Sequence, residues 1–591
     1  MSSLSDRLIK SITELWQLPD WIRHYQKSKL SQDLLAGVIV GILVIPQSLG
    51  YAVLSGLPPV YGLYSAIVPV LVYAWIGSSS VNAVGPVAIT AIMTAQALQP
   101  YHTLPRADYA LMASFLALLT GALLWLASVF RLGWITQFIS RGVTAGFISG
   151  AAILIFIGQL KYVTGIDIKG NSILLNIESF VANFSQLSLP TLAVGITAFT
   201  VLIINRYYLK GWLKPVLAAS RIEVLTRLIP LVVLVVGIVL SFLFDFEALG
   251  ILTIHRVPDG LPHFVMPFYD VSLASIINLL PAAGLMALVA FVSSNSVASS
   301  FARKNSEPYE ANTELKGLGF ANLVGAFFQS FTVVGGFSRT AVNVDAGAKS
   351  PLASMMSVIV MALVLLFFSR LLAPLPYAIL GATIMAAIVS MVDIKTLRDA
   401  YQFDRLDAFA FLAALLGVLM FGLNIGLVVG LFASFAGLIW KSSHPHIAIV
   451  GQIGNTEHFR NIKRHSVTRH DSLLIIRIDE SLFYGNANSV AQFIEEAITT
   501  HPDTRQIVLM LSAVNYIDLT AQDMLVNLTQ NLARRHITLH FSEVKGPVMD
   551  VIEHTDVIKK LTGRVFLSTH EAVTELTQVA SSAKTLNNTD S

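Results

Sequence analysis

Apolar positions come in long unbroken runs from about residue 33 to residue 441, and only in short ones after it. Four runs are long enough to cross hydrocarbon as helices, at about 20 residues per span. They are residues 34–54, 109–130, 228–244 and 352–368. Two further pieces, VNAVGPVAITAIMTA (81–95) and VVGGFSRTAVNVDAGA (333–348), are too short and too rich in glycine to span. With these counted as half-spans and the less regular runs added, about fourteen membrane elements are expected. After KSSHPH (441–446) the period changes. SLLIIRI (472–478), QIVLML (506–511) and ITLHF (537–541) read as buried strands, with SVAQFIEEAI (489–498) and TAQDMLVNLTQNLARR (520–535) as helices among them. That alternation predicts a small α/β domain. The partition is thus an N-terminal segment (1–30), a transmembrane domain (31–441), an α/β domain (442–579) and a disordered tail (580–591).

The two short pieces hold matching places in the two halves. Each follows a pair of spans and opens at a glycine cluster, Gly85–Pro86 in one and Gly335–Gly336 in the other. Interrupted apolar segments at matching positions point to inverted repeats with a site near mid-membrane. A half-helix that begins inside the membrane turns unpaired N–H groups and a positive dipole end toward a cavity. Two such ends make an anion site without a metal. Gly85, Pro86, Val87 and Ala88 open the first half-helix, and Phe337 and Ser338 the second. Packing kinks are the alternative for either piece alone. They do not account for a matched pair with Arg339 beside one start, because a guanidinium in the membrane faces a cavity or a partner. Asp345, six residues on, is off the face of Arg339, whereas Asp345 and Lys349 have the i,i+4 spacing of a helical pair.

Composition narrows the class. Of 591 residues, 54% are hydrophobic and 13% charged, against about a quarter charged in soluble domains. A net charge of +3 and the lack of a basic stretch with aromatics argue against nucleic acid as a partner. With no cysteine, disulfides and thiolate metal sites are excluded. No triad, metal-ligand cluster or phosphate-cradling loop stands out, so neither an enzyme nor a cofactor is expected. The first 33 residues lack the compact apolar core of a signal peptide. Lys and Arg gather in the N-terminal segment, in 131–141, in 206–227, near Arg303 and Lys304, and over Lys395–Arg405. Alternate loops are poor in them, which predicts an even number of crossings with both termini cytoplasmic. A bacterial inner membrane suits that arrangement.

VIPQSLGYAVLSGLPPVYGLYSAIVPVLVYAWIGSS (44–79), followed by VGPVAI (84–89), resembles the signature of the sulfate permease (SulP) family. Pendrin and prestin belong to that family. ELKGLGFANLVGAFFQSFTVVGGFSRTAVNVDAGAKSPLAS (314–354) resembles its second signature, and residues 442–579 resemble its STAS domain. The resemblance implies an α-helical polytopic fold of fourteen segments in a 7+7 inverted repeat, with core and gate domains and a cytoplasmic STAS domain. It implies a homodimer in the lipid bilayer, working by an elevator motion on a small inorganic anion, sulfate first. Bicarbonate or chloride exchange, dicarboxylate transport and an anion channel are the alternatives.

The resemblance also places Gln47 in the anion pocket, Tyr51 as an aromatic lining it, and Arg339 as the source of an attracting field. Many members carry an acidic residue in the eighth segment, in a run like GFVESISIAK. Here AFVSSNSVAS (290–299) puts Ser293 in that place. Coupling then falls to Asp345 or to the polar face of Ser293 and Asn295, or the protein exchanges anions. In NYIDLTAQDML (515–525), Leu519 stands where anti-sigma antagonists have a phosphorylated serine, with Thr520 beside it. A contact role for the STAS domain, with a cytoplasmic partner, is expected over a phosphoswitch.

Overall fold

The computed structural model describes residue 13 and residues 17–587, apart from 139, 169, 171, 216–218, 255–259, 269–270 and 455. Among side chains, those of Phe337, Ser338 and Asp345 lie outside the described set. The chain divides into two compact units, Met1–Ser434 and Phe435–Ser591, with the boundary inside the last helix of the membrane part.

The first unit is helical. Its first half runs α1 (Leu30–Leu54), α2 (Val68–Ile76), strand β1 (Val84–Gly85), α3 (Ala88–Ala97), α4 (Arg106–Val129), α5 (Arg141–Thr164), α6 (Leu189–Ile204) and α7 (Ala219–Phe244). The second half repeats the order with α8 (Leu273–Asn305), α9 (Ala311–Ala326), β2 (Val334–Gly335), α10 (Phe337–Asp345), α11 (Leu352–Leu363), α12 (Tyr377–Ile388), α13 (Arg405–Phe421) and α14 (Leu423–Ser443). Among the described residues, seven helical stretches are long and apolar enough to cross a membrane, which makes this a multi-pass membrane protein. At about 1.5 Å per residue, α3 and α10 reach only about half of a 30 Å hydrocarbon core. Both expected half-spans are therefore half-helices, each led in by a two-residue strand.

Small residues set which helices pair, because apolar side chains gain little from each other in lipid and close backbone approach gains contact. Gly37 and Gly41 of α1 lie against α11, where an added Cβ would sit 2.4 Å from Ala353 O and 2.7 Å from Val360 Cβ. Gly121 of α4 and Gly319 of α9 are matched in the same way, 2.8 Å from Gly319 O and 2.7 Å from Trp125 N. In α5, Gly142, Gly146 and Gly150 recur every four residues and meet the backbone of Asp407, Phe411 and Leu415 in α13.

The second unit holds a six-stranded sheet of β3 (Ile447–Gln452), β4 (Phe459–Asn461), β5 (Leu473–Ile478), β6 (Gln506–Met510), β7 (Thr538–Ser542) and β8 (Val565–Phe566), in the order β4-β3-β5-β6-β7-β8. β5 to β8 are parallel, while β3 runs against β4 and β5. Helices α15 (Ala487–Thr500) and α16 (Leu519–Arg534) bury Val490, Ile494, Leu525 and Leu532 in the sheet's apolar core. Asp479 is shared by His446 at 2.6 Å and Arg477 at 2.5 Å. Burial works to raise its carboxyl, and the hydrogen bonds from Arg477 and His446 outweigh that and hold it below the usual range. The last helix, α17 (Thr569–Asn587), extends into the stretch 580–591 expected as a disordered tail. With no glycine or proline in 569–587, nothing there breaks a helix.

Candidate functional site

The strands β1 and β2 pair antiparallel, Val84 with Gly335 and Gly85 with Val334. Each half-helix begins three residues beyond its paired position, so the ladder fixes both helix starts at one place. Val87 is the N-cap of α3 and Gly336 that of α10, and neither contributes a side-chain cap. The first-turn N–H groups and the positive dipole ends are therefore left for something else to satisfy. A serine near a helix start often serves as its N-cap, but Ser338 does not. Gly336 holds that position, and Ser338 is the second helical residue.

Arg339 projects from the first turn of α10 and is 6% exposed. Its Nη2 donates to Pro86 O at 2.8 Å and its Nη1 to Val84 O at 3.3 Å. Its Nε, also buried, has no hydrogen-bond partner. The guanidinium thus ties the second half-helix to the backbone before the first and leaves its Nε–H without a partner. Gly85 makes this possible, since a Cβ there would stand 1.9 Å from Arg339 Nη1. Arg339, Val342 and half-buried Gln47 line one cavity of about 170 Å³ with Val40, Leu43 and Val44 of α1 and Thr226 and Pro230 of α7. Tyr51, one turn beyond Gln47, lies close enough to Arg339 for the two to interact electrostatically. Ala88 is buried, and Val87 Cγ1 lies 3.2 Å from where a Cβ on Gly336 would be.

Other expected residues lie elsewhere. Ser293 lines a small apolar cavity with Val143 and Phe147 of α5. Asn295 accepts a hydrogen bond from the Tyr309 hydroxyl at 2.6 Å. The proposed Asp345–Lys349 pairing falls partly outside the described side chains. What the structure shows at Lys349 is its backbone N–H donating to Asp33 Oδ1 at 2.7 Å. Asp33, fully buried, also accepts from Ser350 N at 3.1 Å, Ser350 Oγ at 2.7 Å and Tyr25 at 3.0 Å.

Two residues were missed. Thr226 brings a buried hydroxyl from α7 to the wall of the Gln47–Arg339 cavity. Glu314, in the first turn of α9, is fully buried. Its Oε1 accepts from Ser294 Oγ at 2.6 Å and Asn82 Nδ2 at 3.1 Å, and its Oε2 from Tyr73 at 2.8 Å and Ser78 at 2.6 Å. Asn82 Oδ1 in turn accepts from Thr340 Oγ1 at 3.0 Å, and Thr340 Oγ1 accepts from Ala83 N at 3.0 Å. The carboxylate therefore connects through Asn82 to the residue beside Arg339. A glutamate at the head of a run as apolar as LKGLGFANLVGAFF was the available signal, and it reads in sequence as a solvated helix start.

In the second unit, Asp518 caps α16 through Ala521 N at 2.8 Å and also accepts from Tyr484 N at 2.8 Å. Leu519, 74% exposed, presents an alkyl group where a phosphoacceptor hydroxyl was the alternative.

The profile of the sulfate permease family matches residues 30–414, and that of the STAS domain residues 464–572. The chain is 32% identical over 582 residues to Sulfate transporter 4.1, chloroplastic, of Arabidopsis thaliana, covering 96% of this chain and 83% of that protein. A probable sulfate transporter of Mycobacterium tuberculosis (strain ATCC 25618 / H37Rv) is 29% identical over 555 residues, covering 93% and 96%. Among solved structures, the murine Solute Carrier 26 family member A9 anion transporter in the inward-facing state superposes with a TM-score of 0.83 at 21% identity, covering 94% and 93%. The transmembrane domain of the cyanobacterial bicarbonate transporter BicA superposes with a TM-score of 0.58 at 18% identity, covering 69% of this chain and 97% of that one. At these identities the structures speak for the fold alone.

Proposed function

Because this chain belongs to the sulfate permease family and carries a STAS domain, we propose that it is a secondary transporter of sulfate. The family is one of transporters, not enzymes. The anion sits between the starts of α3 and α10. Arg339 supplies the field, Gln47 and Ser338 supply donors, Tyr51 lines the site, and Gly85 to Ala88 with Phe337 supply backbone. The observation that carries this reading is the buried Arg339 with its Nε unpartnered, in one cavity with Gln47 and beside two uncapped helix starts. Buried cations and open helix N-termini both select for negative charge. Buried inside the protein, such a site needs few charges, because each interaction is stronger in low dielectric.

The elevator motion moves α1 to α4 with α8 to α11 as a core against α5 to α7 with α12 to α14 as a gate. The glycine stripes support that division, since they pair α1 with α11, α4 with α9, and α5 with α13. Both termini face the cytoplasm of a bacterial inner membrane, and the protein works as a homodimer. Residues 31–441 form the transport domain and 442–579 the STAS domain. The loops rich in Lys and Arg support the orientation.

The test uses the full chain in liposomes with radiolabelled sulfate, bicarbonate and succinate, each with and without counter-anion and pH gradients. Sulfate is expected to accumulate and to be displaced by excess unlabelled sulfate. Saturable uptake of bicarbonate or succinate in preference to sulfate would overturn the substrate. A steady current without accumulation would make the protein a channel.

A further inference from the structure

Resting on the reading of this chain as a sulfate transporter, we infer that Glu314 is a proton-binding site, and that its protonation is coupled to anion binding beside Arg339. Glu314 is fully buried, and all four of its hydrogen-bond partners are neutral. A site made for a permanently ionised carboxylate in a membrane pairs it with a cation. A site made for a permanently neutral acid has no use for four donors. This cage suits both forms, because Tyr73, Ser78 and Ser294 are hydroxyls that turn from donor to acceptor. In the acid form the carboxyl O–H donates to one of them while Asn82 keeps its place. Ser78 is the only one of the four that is not fully buried, so it marks the way in for a proton.

The cage also touches the anion site mechanically. Asn82 bonds to Glu314 on one side and to Thr340 on the other, and Thr340 is the residue after Arg339. Ser294 places the cage one residue from Ser293, where the carboxylate expected in the eighth segment is absent.

Charge balance gives the coupling its sign. With Arg339 cationic and Glu314 ionised, the charges of these two groups cancel. A divalent oxyanion takes their sum to a net charge of about −2 in low dielectric, and one proton on Glu314 returns it to about −1. Anion binding therefore favours proton binding, and reciprocally a proton favours the anion. The proton comes from the aqueous phase, adds to one carboxylate oxygen, and leaves as the acid ionises on the far side.

The other titratable groups around the cage are few. Tyr73 comes from α2, and Tyr309, from the segment before α9, interacts electrostatically with Glu314. Glu307 accepts from Ser80 nearby, and Glu310 and Lys316 flank the site in sequence. From α4 and α8, among the described residues, only Ser294 bonds to Glu314, and no titratable group does.

The experiment follows sulfate and protons together in liposomes holding the full chain and an internal pH dye. For the unaltered protein, each sulfate is expected to enter with a proton, and KM for sulfate to rise by up to about tenfold per pH unit on the alkaline side. Glu314→Gln imitates the protonated acid, so sulfate–sulfate exchange is expected to persist, proton entry to vanish and KM to lose its pH dependence. Proton entry at the unaltered ratio in Glu314→Gln would overturn the inference, as would pH-independent sulfate uptake by the unaltered protein. Should Glu314→Gln fail to emerge monodisperse from gel filtration, Ser78→Ala decides. It removes a donor to the ionised form, so the midpoint of the KM–pH curve is expected at higher pH, and an unmoved midpoint sinks the proposal. No uptake of sulfate under any gradient is a different failure, that of the transport reading itself.

Discussion

The first half-helix is approached through Val84, Gly85, Pro86 and Val87, and the second through Val334, Gly335 and Gly336. Their backbones do the same thing: strand, uncapped N-terminus, short helix. Their chemistry differs. The first half offers two carbonyls, Val84 O and Pro86 O, and no charge, while the second offers Arg339, which takes both. An inverted repeat thus need not be chemically symmetric. Backbone dipoles come in pairs, whereas a single cation placed on one side serves both ends. The costs are also unequal, since only Gly85 has to leave room for a guanidinium.

Arg339→Gln attacks the asymmetry directly and should have the largest effect. It removes the charge and leaves Val84 O and Pro86 O short of donors, a loss of about 3 kcal/mol or roughly 10²-fold in sulfate uptake. Uptake within twofold of the unaltered protein would show that the helix ends alone suffice. Next comes a matched pair of alanines. Gly85→Ala collides with Arg339 Nη1, and Gly336→Ala meets nothing closer than 3.2 Å. Uptake is expected to fall about tenfold or more in the first and about twofold in the second, and equal losses would erase the distinction between the halves. Gln47→Ala, which keeps the charge and removes one donor from the far wall, should raise KM for sulfate by about five- to tenfold with little change in maximal rate. An unchanged KM would put Gln47 among packing residues.

The smallest effect lies in the STAS unit, where polar burial serves stability and not transport. His540 is buried, its Nδ1 accepts from Arg564 N at 3.1 Å, and burial together with the Arg564 charge lowers it to about 4. The folded domain therefore binds this proton less readily than the unfolded chain. Its stabilising share is complete above the unfolded value near 6.5 and is lost as pH falls toward 4. Melting of the STAS unit should shift down across that window by on the order of 1 kcal/mol, after allowing for partial solvent screening. His540→Gln should flatten the shift, and an equally pH-sensitive variant would assign it to another group.

Much of this fold was legible because lipid leaves the backbone few choices. Run length named the spans, and the two glycine-broken pieces named the half-helices. That Arg339 would be buried beside a cavity was legible too, since a membrane arginine wants a cavity. What stayed hidden depends on register between distant segments. Glu314 looks like the solvated first turn of a helix until Tyr73, Ser78, Asn82 and Ser294 are seen around it. Thr226 is unremarkable until α7 turns it toward Gln47. Ser293 and Ser294 are neighbours in sequence, yet one faces an apolar cavity and the other a carboxylate. Only the rotation of α8 separates them.

The two-residue ladder between β1 and β2 joins positions roughly 250 residues apart in the chain. During synthesis at about 5–20 residues per second, the first half-helix emerges about 10–50 s before the strand that completes it. Through that interval its uncapped end and the carbonyls of Val84 and Pro86 have no partner from their own chain. Assembly of the centre therefore waits until more than half of the chain has been made, and truncations before Gly335 should be prey to membrane quality control however well their individual helices insert.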